Sequence, residues 1–301
     1  MDASIPFKLG NVLYTLRKRS GITQKVMAEG IITQAQLSNI EKGKVIPLAT
    51  TLYELSLRLG ISIEDILLET YSDRMEYSEE VKSQVRVSIR NREYRQVKRI
   101  LEAEQYHADF QSSINKQFIL WHLGIVAYYC DSDILKSLDF LDRALDLSTH
   151  FHIFSAQKIE ILNSKAIIYN EITEYKKSIA TYEDALKQFQ QLPKTSMNYR
   201  IKVRIHYGLT KSLHKDAQYY ESIKICSDAI QILTREESMY LLGEVLYQRA
   251  QSLQSMNNME SATKGYEEAR NIFLLQQNYE FEKVVQERLY EIKKSLKVYK
   301  D

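Results

Sequence analysis

The sequence predicts an all-α chain, and three observations point that way. Nine glycines and three prolines are few for 301 residues, whereas folds built on strands and tight turns use those residues at every corner. Apolar residues recur at helical spacing in the stretches between these few breakers. A set of alanines also returns at near-constant intervals through the C-terminal part, as it does when helical units are stacked. The length suits two domains, or one domain followed by a repeat array. With 44% hydrophobic and 27% charged residues, the composition is ordinary for a folded chain.

The first 69 residues divide into five short helices. Residues 7–19 carry Leu9, Val12, Leu13 and Leu16 on one face, and Ser20-Gly21 ends them. Thr23 is placed to cap a second helix, residues 24–29, closed by Gly30. Thr33 caps a third, residues 34–42, and Thr33-x-x-Gln36 fits the reciprocal capping box. Gly43 stops it, and Pro47 lies just before a fourth helix, residues 49–59. Gly60 and the cap Ser62 then lead to a fifth, residues 63–69. Helices this short are not stable alone, so the five must share one core.

Residues 70–78, "TYSDRMEYS", are expected to join this head to a longer body, residues 79–301, of paired amphipathic segments. Within the body, "SLDFLDRAL", "SIATYEDAL", "SIKICSDAI" and "ATKGYEEAR" align. Each has a core-facing position four places after its first residue (Leu141, Tyr182, Cys226, Tyr266) and an alanine after seven: Ala144, Ala185, Ala229 and Ala269. Upstream of each lies a further helical stretch, at residues 115–129, 157–170, 201–213 and 239–256. Small residues at a fixed point let two helices approach closely, while aromatics fill the gap to the next pair. This pattern resembles the tetratricopeptide repeat with longer helices or loops, which implies a right-handed superhelix of hairpins with a concave face. Residues 81–104 read as an earlier, degenerate pair and residues 280–299 as a capping helix.

Other classes find less support. Cys130 and Cys226 lie far apart in apolar surroundings and read as reduced thiols. No window approaches the roughly 20 apolar residues of a membrane span, and no leader pattern opens the chain, so a cytoplasmic protein is expected. A net charge of +2 neither requires nor excludes nucleic acid. No phosphate-binding glycine loop, HExxH or G-x-S-x-G appears, so no enzyme and no cofactor is expected. His150 and His152 are a weak metal candidate without further ligands in register.

The third helix carries chemistry of its own. Leu37 and Ile40 point one way, and Gln34, Ala35, Ser38 and Asn39 cluster on the other. An uncharged amide face suits a DNA major groove: Gln and Asn make paired hydrogen bonds to adenine, and Ala touches a thymine methyl. Gln24 and Lys25 open the second helix, where backbone N–H groups are free to hold a phosphate. Lys42 and Lys44 follow the third helix and are placed to grip the sugar-phosphate chain.

The segments "TQKVMAEG", "TQAQLSNIEKGKVIP" and "LYELSLRLGISIEDIL" resemble the phage-repressor type of helix-turn-helix. That likeness implies base contacts from Gln34, Ala35 and Asn39, with Gln24 and Ser38 on phosphates. Joined to the repeats, the head resembles the peptide-responsive quorum-sensing regulators of Gram-positive bacteria, the Rap/NprR/PlcR/PrgX family, and its PlcR-like branch in particular. "YSDRMEYSEEVKSQV", "EQYHADFQ", Trp121, "KVR" at 202–204, "YYES" at 219–222 and "YQRAQSL" at 247–253 carry the likeness through the body. It implies a homodimer on a roughly palindromic double-stranded DNA site, switched by a short signalling peptide in the concave groove. Arg90 and Arg92, the inner-helix Asn163, Tyr207, Glu244, Gln248 and Tyr279 are the peptide-binding residues it implies. Two departures stand out: Gly208 replaces a second inner amide, and Glu244 stands where an uncharged amide is usual. Two alternatives stay open at this point. The repeats dock a protein partner without a peptide signal, or the chain is a Rap-like partner of response regulators with a vestigial head.

Overall fold

A computed structural model describes residues 5–149, 155–192 and 198–298, and every regular element among them is helical. The chain divides into two compact units, Met1–Ile100 with His107–Phe110, and the remainder. Among the described residues, no helix is long and apolar enough to cross a membrane.

The first unit opens with α1 (Ile5–Arg19), α2 (Gln24–Ala28), α3 (Gln34–Glu41) and α4 (Ala49–Leu59), followed by the long α5 (Ile63–Arg90). Leu9 and Leu13 of α1, Met27 of α2, Leu37 of α3, Leu55 of α4 and Ile66 of α5 meet in one core. The burial of each such side chain contributes about 1.5–3 kcal/mol, which is what holds the four short helices and the start of α5 together. The expected caps form. Thr33 accepts from the Gln36 N–H while the Gln36 side chain accepts from the Thr33 N–H, and Ser62 and Asp65 repeat the arrangement at α5. Gly43 has φ of +68°, and a Cβ there would lie 2.5 Å from Phe7 Cα, so both the turn and the close approach of α1 need glycine.

One boundary differs from the sequence reading. The fifth helix does not stop at residue 69 but runs on to Arg90, so residues 70–78 are helical. No glycine or proline interrupts residues 61–92, and the Thr70 hydroxyl donates back to the Ile66 carbonyl within the helix. Nothing local ends the helix until Arg92, which takes the left-handed conformation at φ 61°. Helix α6 (Tyr94–Glu104) and a 3₁₀ turn at Ala108–Phe110 follow.

The second unit is an array of antiparallel hairpins: α7 (Ser113–Asp131) with α8 (Ile134–Thr149), α9 (Ala156–Glu171) with α10 (Tyr175–Phe189), α11 (Asn198–Lys215) with α12 (Tyr219–Arg235), and α13 (Leu242–Ser255) with α14 (Met259–Leu275). Helix α15 (Tyr279–Val298) packs on α14. Ala144, Ala185, Ala229 and Ala269 are fully buried, as their recurrence predicts. The first residue of each aligned segment is equally buried, and in the three that begin with serine it has a task the sequence did not reveal. Ser137, Ser178 and Ser222 each donate to a carbonyl of the preceding helix, Gly124, Ala166 and Thr210, at 2.7, 2.7 and 3.0 Å. The turns between paired helices use Ser132, Thr173, Ala217 and Asn257 at positive φ, which is how the array is built with so few glycines.

Successive first helices also meet one another, α7 with α9, α9 with α11 and α11 with α13. The second helices pack chiefly on their own partner and on the next first helix. The first helices therefore form the inner layer of the array. Cys130 and Cys226 are free thiols, and burial pushes the Cys226 thiol up to about 12. His150 and His152 lie outside the described residues.

Candidate nucleic-acid interface and ligand face

In the head, the sequence sets α3 like a bar with two unlike sides. Leu37 and Ile40 anchor it in the core. Gln34, Ala35 and Asn39 are exposed on the far side, and Ser38 is half-buried beside them. Gln36 is occupied by the capping box, as its spacing suggested. Lys25, Lys42 and Lys44 are exposed around this face. A helix fixed by its cap and its apolar side, with amides outward, presents donors and acceptors in a set geometry.

What keeps α3 in place is a buried ion pair that periodicity alone does not expose. Arg17 and Glu41 are 4% and 8% exposed. The Arg17 Nε and Nη2 donate to the Glu41 carboxylate at 2.6 and 2.9 Å, and Nη1 donates to the Ile22 carbonyl at 3.0 Å. Gln24 donates one amide N–H to the same carboxylate at 2.8 Å, so its side chain ties α2 to α3. Arg58 of α4 caps the end of α2 by donating to the carbonyls of Val26, at 3.0 Å, and Glu29. The one available sequence signal was Arg17 itself, four places after Leu13 on the face that faces the core.

In the repeat unit the ligand candidates fall on the inner layer. Asn163 lies on α9, Tyr207 on α11, and Glu244 and Gln248 one turn apart on α13. Asn163 and Gln248 are each 5% exposed, yet Asn163 Oδ1 and Gln248 Nε2 have no hydrogen-bond partner, and neither has Glu244 Oε2. Buried polar atoms left unpaired cost about 1–3 kcal/mol each, and native structures contain few of them. Burial raises the Glu244 carboxyl above the usual range. Burial and the nearby Glu244 push the Tyr207 hydroxyl up to about 12.

Other predicted residues sit differently. Tyr279 is the first residue of α15 and is 65% exposed. Arg90 and Arg92 are exposed in the first unit, at the end of α5 and just beyond it. Gly208 has a structural cause: a Cβ there would lie 2.2 Å from the hydroxyl of the buried Tyr182. The tyrosine fills the space an amide would need. Arg204, unremarked by the sequence reading of the site, spans α11 and α9. It donates to both Glu160 oxygens at 2.7 Å and to the Tyr240 hydroxyl at 3.0 Å.

A model of the RNPP family C-terminal domain matches residues 82–294, and a helix-turn-helix model matches residues 13–66. Among solved structures, Bacillus thuringiensis PlcR in complex with the peptide PapR7 and DNA is similar at 26% identity and a TM-score of 0.80, over 93% of this chain and 99% of that one. The apo form of that protein is similar at 25% identity and a TM-score of 0.65, over 94% and 99%. ComR from S. thermophilus, in complex with DNA and its signalling peptide ComS, shares the fold at 14% identity and a TM-score of 0.64, over 94% and 99%. No curated protein matches.

Proposed function

Because the chain belongs to the RNPP family, we propose that it is a cytoplasmic, homodimeric transcription regulator that reads DNA with its head and binds a short signalling peptide on the inner face of its repeats. Residues 1–69 form the DNA-reading domain, and residues 79–301 form the sensor. In this reading Gln34, Ala35 and Asn39 contact base edges, with Ser38, Lys25, Lys42, Lys44 and the Gln24 backbone on phosphates. Two heads occupy half-sites about one helical turn apart, or a multiple of it, on a roughly palindromic duplex. The peptide is held by Asn163, Tyr207, Glu244 and Gln248, with Tyr279 as a further contact. Peptide binding shifts the population between two arrangements of the array and so changes DNA binding.

The observation that carries this reading is that Asn163 Oδ1, Gln248 Nε2 and Glu244 Oε2 on the inner helices are buried and unpaired, as are His206 Nδ1 of α11 and Arg249 Nε of α13. The first three are complementary to a backbone that brings its own N–H and C=O groups. PlcR and ComR were each captured with both DNA and a peptide, which supports the same pairing of partners here.

Selection of duplexes from a random pool by the full chain, at fixed salt and with or without added peptides, tests the proposal. Replacement of Gln34 and Asn39 together by Ala should abolish sequence preference, since each bidentate amide–adenine pair is worth about 1–3 kcal/mol. Lys42→Ala should instead weaken binding to all sequences and make the salt dependence shallower by about one unit of slope. Unchanged preference in the double variant would rule out α3 as the reading helix.

A further inference from the structure

The inner layer carries a charge ladder with one rung unpaired. Glu160 of α9, Arg204 of α11 and Glu244 of α13 are separated by the same intervals as Ala185, Ala229 and Ala269. They therefore hold one equivalent position in three successive first helices. The first two satisfy each other, since Arg204 makes two charge-assisted hydrogen bonds to Glu160 at 2.7 Å. With Tyr240 as its third partner, Arg204 directs its Nε and Nη1 to groups other than Glu244. Among the described residues Glu244 has no ion-pair partner, and its Oε2 is buried without a hydrogen bond. One turn along the same helix, Gln248 is nine-tenths buried and its Nε2 also lacks an acceptor. Tyr207 of α11 lies near enough to feel the Glu244 charge.

Glu244 is half-buried, and a carboxylate with one oxygen removed from water and left unpaired destabilises the free protein. Gln248 beside it offers a donor and needs an acceptor. The missing partner therefore carries a positive donor next to a carbonyl, which is the make-up of a basic residue in a peptide or of its N-terminal residue.

We propose that the ligand of this face presents an ammonium or guanidinium group to the Glu244 carboxylate, with an adjacent carbonyl accepting from Gln248. This rests on the reading that a peptide occupies the inner face. The ligand's cation does for Glu244 what Arg204 does for Glu160 one hairpin earlier, and Glu244 becomes the residue that selects basic peptides over neutral ones.

The test is affinity selection from an equimolar random heptapeptide library by the full chain, with the retained peptides sequenced by mass spectrometry. Wild-type protein should enrich Lys or Arg at one position, or free over acetylated N-termini when the library holds both forms, by about ten- to a hundred-fold, the ratio expected of one charge-assisted bond; either counts as a basic preference. Glu244→Gln removes the charge at nearly constant volume. The peptides it retains should lose that enrichment, and the basic peptides selected by wild type should bind it about ten- to a hundred-fold more weakly. Should the variant fail to fold, enrichment by the wild type still decides the matter, with Gln248→Ala expected to weaken retention of the same peptides. Retained peptides without a basic preference, or the same preference in Glu244→Gln, would overturn the proposal and leave the peptide-sensing reading standing. Retention of no peptide by either protein would overturn both.

Discussion

The head and the repeat array treat buried polarity in opposite ways. In the head, Arg17, Glu41 and Gln24 close on one another, and Arg58 caps the end of α2. The α3 amides Gln34 and Asn39, proposed here to contact bases, are held outward. In the array, Asn163, Glu244 and Gln248 place polar atoms in buried positions and leave them unpaired. DNA is a stiff, highly charged ligand that approaches from outside, so its reader gains from rigidity. A short peptide enters flexible and must be ordered on binding, so its receptor gains from groups whose partners arrive only with the ligand.

The sharpest way to break this contrast is Glu41→Ala. It leaves the Arg17 guanidinium buried without its carboxylate and should destabilise the head by about 3–5 kcal/mol. Hydrogen exchange should quicken within residues 5–69 and leave residues 113–298 unchanged. Equal quickening of both would show that the head and the array unfold together and that the contrast is only local.

A second effect belongs to the array. His206 is 4% exposed, and burial, aided by Lys202 and opposed by Asp228, holds its imidazole down at about 4. The unfolded histidine titrates near 6.5. Between these values the unfolded chain binds the extra proton, so stability is present above about pH 6.5 and is lost as pH falls toward 4. The loss amounts to about 3 kcal/mol. Urea melts of wild type and His206→Gln across this window should converge as pH falls. A constant difference between them would refute the assignment.

The smallest effect concerns the core between hairpins. Gly208→Ala drives a methyl into the Tyr182 hydroxyl and should cost about 1–3 kcal/mol, as overpacking does. Adding Tyr182→Phe should recover part of it. Additive losses in the double variant would mean that the two positions do not share the space.

Much of this molecule was legible in its sequence. Thr33 with Gln36, Ser62, Gly43 and Gly60 mark their helix ends by local chemistry: a hydroxyl or a missing Cβ acts within a few residues, and no tertiary contact is needed to read it. The alanines at 144, 185, 229 and 269 announced the hairpins because a close helix crossing tolerates only a small side chain. The exposed face of α3 followed from 100° per residue once Leu37 and Ile40 were assigned to the core.

Other features needed three dimensions. The end of α5 was misplaced because residues 70–78 carry no stop signal, and a helix without one continues wherever it finds support. Arg17 meets Glu41 across 24 positions of sequence, and Arg204 meets Glu160 across 44. The unpaired state of Glu244 is also a relation between helices, set by which cation is already taken. The sequence alone determined the helices, their caps, the repeat and the reading face, since these depend on neighbours along the chain. Only the tertiary structure decided which buried polar groups are satisfied and which are left unpaired, because pairing depends on distance in space and on the removal of water.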